Sequence, residues 1–177
     1  MIGTRTALLS SLLSMGLLGA PAAAAEAATG GSDPAAYVQV FIGQVDVGRP
    51  QADSQYGVEW LPALRWTGFD LQPVAGLLRT RHGSHMVYGG IQRRTAFMRS
   101  GEGPALNVGL APGLYLHGGN SDTDLGFPLQ FMSSVGVDHQ FPDGTRIGLW
   151  FSHISNASLS DDNPGTELLT LKYGLKF

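Results

Sequence analysis

Three side chains near the carboxyl end of this 177-residue chain have the types needed for an acyl-transfer relay: Ser155, His153 and Glu167. In such a relay the imidazole takes the proton of the attacking hydroxyl, and the carboxylate orients the ring and supports the imidazolium that forms. The serine lies two residues after the histidine, and the glutamate follows further along the chain. These residue types suit ester hydrolysis, provided that the fold brings them together.

Strand periodicity offers a way to bring them together. Successive side chains of a strand point to opposite faces, so His153 and Ser155 share one face of the segment 145–156. Glu167 begins the next alternating segment, 167–177. If the antiparallel register pairs 153 with 167, the two Cβ atoms lie about 4.5–5.5 Å apart. We therefore predict a hydrogen bond between the glutamate and the histidine.

The two segments belong to a longer series. Alternating apolar segments recur along the chain between clusters of Gly, Pro, Asp and Asn. Eight are counted, at about 35–46, 54–66, 69–81, 84–98, 105–117, 127–140, 145–156 and 167–177. An even number of strands can close into an up-and-down barrel. The sequence thus predicts an all-β, eight-stranded antiparallel up-and-down transmembrane β-barrel over residues 35–177.

Two features favour a membrane barrel over a soluble barrel. The chain ends on Phe177 after an alternating apolar row, which resembles the terminal strand signal of bacterial outer-membrane barrels. Short turns are expected at about 66–68, 99–104 and 141–144, and longer polar loops at about 47–53, 118–126 and 157–166, an asymmetry typical of such barrels. Two alternatives remain: a noncatalytic outer-membrane barrel with a structural or adhesive role, and a secreted soluble barrel that binds an apolar ligand.

The amino-terminal residues and the composition further narrow the domain boundaries and the possible partners. Residues 1–25 are typical of a secretory signal peptide, because their apolar run is shorter than the roughly 20 residues of a spanning helix. We expect residues 26–34 to form a flexible stretch. The chain has no cysteine, so it has no disulfides. Its fourteen acids against eleven bases provide no basic stripe, which argues against nucleic acid as a partner.

The remaining histidines and loop acids do not predict a metal site. The histidines are dispersed and lack the spacing of metal ligands; they are His82, His85, His117 and His139. The acids of the long loops are better explained as solvated carboxylates than as calcium ligands; they are Asp122, Asp124, Asp161 and Asp162. We expect neither a metal nor an organic cofactor.

The runs His153–Ile154–Ser155–Asn156 and Asn163–Pro164–Gly165–Thr166–Glu167 resemble the carboxy-terminal signature of the PagL lipid A 3-O-deacylase family. The resemblance implies that His153 is the base, Ser155 the nucleophile and Glu167 the residue that orients the histidine. It also implies that Asn156 is important for activity and that Asn163 is a candidate oxyanion donor. It further implies a location in the cell outer membrane and removal of the 3-O-linked 3-hydroxyacyl chain from lipid A of lipopolysaccharide. A homodimer is left open.

Overall fold

A computed structural model describes residues 35–50, 52–119 and 122–177. The predicted signal peptide, residues 1–25, and the predicted flexible stretch, residues 26–34, lie outside the described residues. None of the described residues belongs to a helix long and apolar enough to cross a membrane.

The described chain forms eight strands that close into a barrel. Each strand pairs antiparallel with its neighbours in sequence, and β1 pairs with β8 to complete the closure. This confirms the predicted fold class. The strands are β1 Tyr37–Val45, β2 Asp53–Leu61, β3 Gln72–Thr80, β4 His85–Ala96, β5 Gly103–Leu116, β6 Leu129–Gln140, β7 Arg146–Ser155 and β8 Thr166–Lys176.

The barrel has two distinguishable ends. At the terminal end β1 begins beside the end of β8, where Tyr37 pairs with Lys176. At the opposite end, called here the loop end, lie the connections 46–52, 81–84, 117–128 and 156–165. Because β7 runs toward the loop end and β8 runs back from it, His153, Ser155 and Glu167 all lie there.

The connection between β2 and β3 differs from the prediction. A short turn was expected at 66–68, but β2 ends at Leu61 and β3 begins at Gln72. Pro62 has no N–H to continue the ladder, so the strand stops before it. Within the connection an isolated bridge joins Trp66 to Leu71. The prediction was wrong here because alternating apolar residues in this connection pair locally instead of extending the strand.

The two faces of the barrel have opposite polarity. The leucines of β5 point outward, as do Leu169, Leu171 and Leu175 of β8, with Leu110 52% and Leu171 45% exposed. Their polar neighbours Asn107 and Thr170 point into the lumen and are buried. A soluble ligand-binding barrel would have the reverse arrangement, with the apolar side chains inside. The outward apolar surface therefore rules out the soluble alternative and suits contact with lipid.

The lumen is a packed interior with paired charges. In one group, Lys172 Nζ lies 2.7 Å from both carboxylate oxygens of Glu59, and the Tyr88 hydroxyl donates to the same carboxylate at 2.7 Å. In a second group, Arg94 is 2.8 Å from Asp138. Each group joins strands that are not neighbours in the sheet, so the charges brace the barrel across its interior.

The lysine and glutamate pair provides a test of this bracing. We expect Glu59→Gln to lower the free energy of unfolding by about 3–5 kcal/mol, because the substitution leaves the buried Lys172 ammonium without its counter-charge. Urea unfolding of the barrel in lipid vesicles measures the change. Glu102→Gln is the matched control, since Glu102 is exposed in the connection between β4 and β5. Equal unfolding midpoints for the two variants would contradict the proposed bracing.

Candidate active site

The register of β7 and β8 brings the histidine and the glutamate together. His153 pairs directly with Glu167 across the two strands, which is the register on which the predicted contact depended. Nδ1 of the imidazole lies 3.3 Å from Oε1 of the carboxylate. The histidine side chain is 44% exposed and the glutamate side chain 32% exposed, so both are open on the outer surface of the barrel. The carboxylate faces Nδ1 and leaves the other ring nitrogen, Nε2, free of this contact.

Ser155 is the last residue of β7 and lies two positions beyond His153 on the same outward face. Residues i and i+2 of a strand are about 6.5–7 Å apart along its axis, a span that two side chains leaning together can close. The residues next to the pair point the other way: Ile154 and Leu168 are each 2% exposed and pack in the core of the barrel. This inward packing holds the three polar side chains on the outward face.

The backbone of the loop 156–165 is shaped closely around the imidazole. A Cβ atom on Gly165 would lie 2.9 Å from Cε1 and 3.4 Å from Nε2 of His153, and the φ angle of this glycine is +63°. Both facts favour glycine at this position. Ala157 and Ser158, also in the loop, have φ angles of 52° and 64°. Such non-glycine conformations cost about 1–3 kcal/mol each, so the surrounding contacts must hold the loop in place.

The two asparagines have different surroundings. Asn156 is fully buried, and its side-chain amide donates to the carbonyl oxygens of Asp162 at 2.7 Å and Leu125 at 3.3 Å. Its backbone N–H donates to Oδ1 of Asn163 at 3.0 Å. With these donors engaged, Asn156 ties the loop 156–165 to the β5–β6 connection. Because Oδ1 of Asn163 accepts this backbone hydrogen bond, the Asn163 side chain presents Nδ2 as its donor.

Sequence reasoning missed Arg49, which touches the site from the β1–β2 connection. Its Nη2 lies 3.4 Å from Oε2 of Glu167, and the same guanidinium reaches Oδ1 of Asp46 at 3.3 Å and the carbonyl of Pro164 at 3.4 Å. Asp46 is buried and accepts a hydrogen bond from Thr166 at 2.9 Å. No local pattern could have shown this, because the arginine and the glutamate meet only after the barrel closes.

The histidines and loop acids expected to bind no metal lie at several places in the described chain. Asp124, Asp161 and Asp162 are exposed. His82 and Asp122 come within 3.7 Å of each other, and Asp53 completes a group of three possible ligands in space. This group lies at the loop end and shares no residue with the row of Ser155, His153 and Glu167.

The matched family agrees with this geometry. Residues 51–176 match the family described as Lipid A 3-O-deacylase (PagL). Together with the closed barrel and its apolar outer surface, the match defines the class of protein as an integral β-barrel of the outer membrane. Since the matched residues make up most of the chain, the chain belongs to the lipid A 3-O-deacylase (PagL) family. Family membership argues against the noncatalytic alternative.

The match to an individual relative covers less of the chain than the family match does. The chain is 30% identical over 78 residues to Lipid A deacylase PagL of Bordetella bronchiseptica, a match that covers 44% of this chain and 44% of the relative. The matched segment thus spans less than half the length of that relative.

Two solved structures share the fold. The outer membrane enzyme PagL superposes with a TM-score of 0.64 at 22% identity, covering 80% of this chain and 99% of that chain. Neisserial surface protein A superposes with a TM-score of 0.59 at 11% identity, covering 80% and 97%. At these identities the likeness supports the barrel fold alone.

The close approach of Gly165 to the imidazole generates a prediction about the serine. We expect Gly165→Ala to slow modification of Ser155 by a fluorophosphonate probe by about 10- to 100-fold, because displacing the imidazole by about 1 Å misplaces the base. The rate of labelling, followed by mass spectrometry, is the measurement. Gly48→Ala is the matched control: Gly48 also has a positive φ angle, +82°, but its Cβ would meet nothing within 4 Å. Equal labelling rates would show that the imidazole does not activate this serine.

Proposed function

We propose that this protein hydrolyses the ester at the 3-position of lipid A, releasing a 3-hydroxy fatty acid, with Ser155 as nucleophile, His153 as base and Glu167 as the residue that orients the base. The observation that carries the proposal is the direct pairing of His153 with Glu167 on the outward face that also bears Ser155. Family membership supports the reaction class. The proposed chemistry requires neither a metal nor an organic cofactor.

The reaction proceeds in two steps. In the first, the Ser155 hydroxyl attacks the acyl carbonyl while Nε2 of His153 takes its proton, and the carbon–oxygen bond of the ester breaks. The sugar hydroxyl leaves with the proton that the imidazole returns. In the second step a water molecule, deprotonated by the same imidazole, attacks the acyl-enzyme. The fatty acid is released and the serine regains its proton.

The neighbouring residues have supporting roles in this proposal. Nδ2 of Asn163 is the donor we assign to the oxyanion that forms in both steps, since its Oδ1 is held by the backbone N–H of Asn156. Asn156 fixes the loop that carries this donor. Arg49 holds the second oxygen of Glu167, so the carboxylate keeps its orientation toward His153.

The position of the site suits a lipid substrate. The three side chains lie at the loop end and face outward, beside the apolar surface of β7 and β8. We assign the loop end to the outer face of the outer membrane, where the acyl chains of lipid A can stay in the bilayer while the ester reaches the serine. Polar groups on the lipid-facing surface cost least near this boundary.

The nucleophile and the base provide the first test. We expect Ser155→Ala and His153→Ala each to lower the rate of lipid A deacylation by at least about 10³-fold, because either change removes the relay. Purified protein acting on lipopolysaccharide, followed by mass spectrometry, gives the rate. The double variant should be little slower than either single variant, since the residues act as one unit.

Ser152→Ala is the matched control for these variants. Ser152 lies on the same strand but points into the lumen, where its hydroxyl donates to Ser134 at 2.9 Å. We expect it to keep the wild-type rate. Retention of the compact, heat-modifiable form on gels confirms that each variant folds. Full activity of folded Ser155→Ala would rule out the proposed nucleophile.

A further test concerns the orienting carboxylate. We expect Glu167→Ala to lower the rate of deacylation less than Ser155→Ala does, because orienting a base contributes less than the nucleophile itself. Glu167→Gln should also be slower than wild type, since glutamine can accept a hydrogen bond from the ring but cannot offset the imidazolium charge. Rates for the folded variants on the same substrate give the comparison. A wild-type rate for both would show that Glu167 does not serve His153.

A further inference from the structure

Three potential metal ligands meet inside the loop end of the barrel, apart from the proposed catalytic row. Asp53 is the first residue of β2, His82 lies in the β3–β4 connection and Asp122 lies in the β5–β6 connection. One ligand atom from each lies within 4.8 Å of the others. Nδ1 of His82 is 2.8 Å from Oδ2 of Asp53 and 3.7 Å from Oδ1 of Asp122.

One oxygen of the Asp122 carboxylate lacks a partner among the described residues. Its side chain is only 3% exposed, and its Oδ2 accepts hydrogen bonds from the Thr80 hydroxyl at 2.7 Å and the Ser84 backbone at 3.1 Å. Its other oxygen, Oδ1, is buried and accepts no hydrogen bond from any of the described residues. A buried carboxylate oxygen without a partner is costly. This oxygen faces the imidazole of His82.

A proton on the imidazole cannot satisfy both carboxylates. Nδ1 carries at most one hydrogen, and at 2.8 Å that hydrogen points to Asp53. The distance of 3.7 Å to Asp122 is too long for a hydrogen bond. A divalent cation placed among the three atoms would bind both carboxylates and the ring nitrogen at once. It would also offset two buried negative charges.

We propose that Asp53, His82 and Asp122 form a structural site for a divalent transition metal ion of the zinc class. The ligand set selects this class, since imidazole nitrogen with carboxylate oxygen suits Zn²⁺, whereas Ca²⁺ and Mg²⁺ take oxygen ligands. Ligands about 2.0–2.2 Å from a tetrahedral ion lie about 3.3–3.6 Å from one another, and the two separations from Nδ1 of His82, 2.8 and 3.7 Å, lie on either side of this range. A water molecule can fill the fourth position.

The bound ion would fasten the start of β2 to the β3–β4 and β5–β6 connections. The β5–β6 connection that carries Asp122 also carries Thr123, whose hydroxyl donates to Asp46 at 2.8 Å, and Leu125, whose carbonyl accepts from Asn156. The site therefore stabilises the loop end without contributing a group to the proposed ester hydrolysis. Its test is independent of the proposed catalytic activity.

The experiment measures Zn²⁺ binding by isothermal titration calorimetry, using the full chain in detergent, without a polyhistidine tag and after treatment with a chelator. We expect one saturable site in the wild-type protein. Binding should weaken about tenfold or more in His82→Ala and in Asp122→Asn, because each removes a ligand. Asparagine can keep its oxygen toward Thr80 and Ser84 while its amide nitrogen replaces the ligand oxygen, so the Asp122→Asn barrel should still fold.

Two histidine variants serve as controls. His139→Ala alters an exposed histidine at the terminal end, and His153→Ala alters the proposed catalytic site; both should bind Zn²⁺ as the wild type does. Zn²⁺ should also raise the temperature at which the wild-type protein loses its compact mobility on gels, and should leave that of His82→Ala unchanged. Gel mobility before heating confirms that each variant is folded.

Three results would overturn the proposal. The first is the absence of saturable binding to the wild-type protein. The second is binding that persists unchanged in either His82→Ala or Asp122→Asn. The third is binding that disappears in His153→Ala, which would place the ion at the proposed catalytic histidine instead.

Discussion

The backbone pairing of β7 with β8 is the interaction on which the rest of the candidate site depends. A lipid-exposed barrel has no water to satisfy unpaired backbone groups, so its ladders must be complete and the sheet must close. Because side chains alternate, a slip of one residue would turn His153 into the lumen and Ile154 toward lipid. The register that closes the barrel is therefore also the register that assembles the histidine and the glutamate.

The lumen makes that register specific. Ile154 and Leu168 fill the core beside the site, and Lys172 of β8 pairs with Glu59 of β2 across the interior. If β8 slipped by one residue, it would lose this packing and would place the Lys172 charge in lipid. Buried ion pairs often add little net stability over apolar packing, because desolvation offsets their attraction. Here we infer that the Lys172 pair contributes chiefly by excluding wrong registers.

Sequence periodicity and spatial contact account for different parts of the structure. Alternation is a local signal, and it was sufficient for the number of strands and for placing His153 and Ser155 on one face of β7, whereas the register that pairs His153 with Glu167 comes from the closed sheet. Contacts made by connections are not local: Arg49 reaches Glu167, and Asp122 reaches His82, only after distant strands meet. The β2–β3 connection was misjudged for a similar reason, since local pairing within it overrode an apolar pattern.

The candidate site is consequently held by two kinds of interaction, one on the membrane side and one at the loop end. From the membrane side, strand pairing and inward packing fix where His153 and Ser155 lie on β7. From the loop end, Arg49 and Asp46 hold Glu167 and the start of β8 through charged hydrogen bonds in a more polar setting. Ion pairs on the lipid-facing surface would be costly at mid-membrane depth, but they cost little near the boundary. A charged relay that must meet a lipid ester can therefore be built where strands end and loops begin.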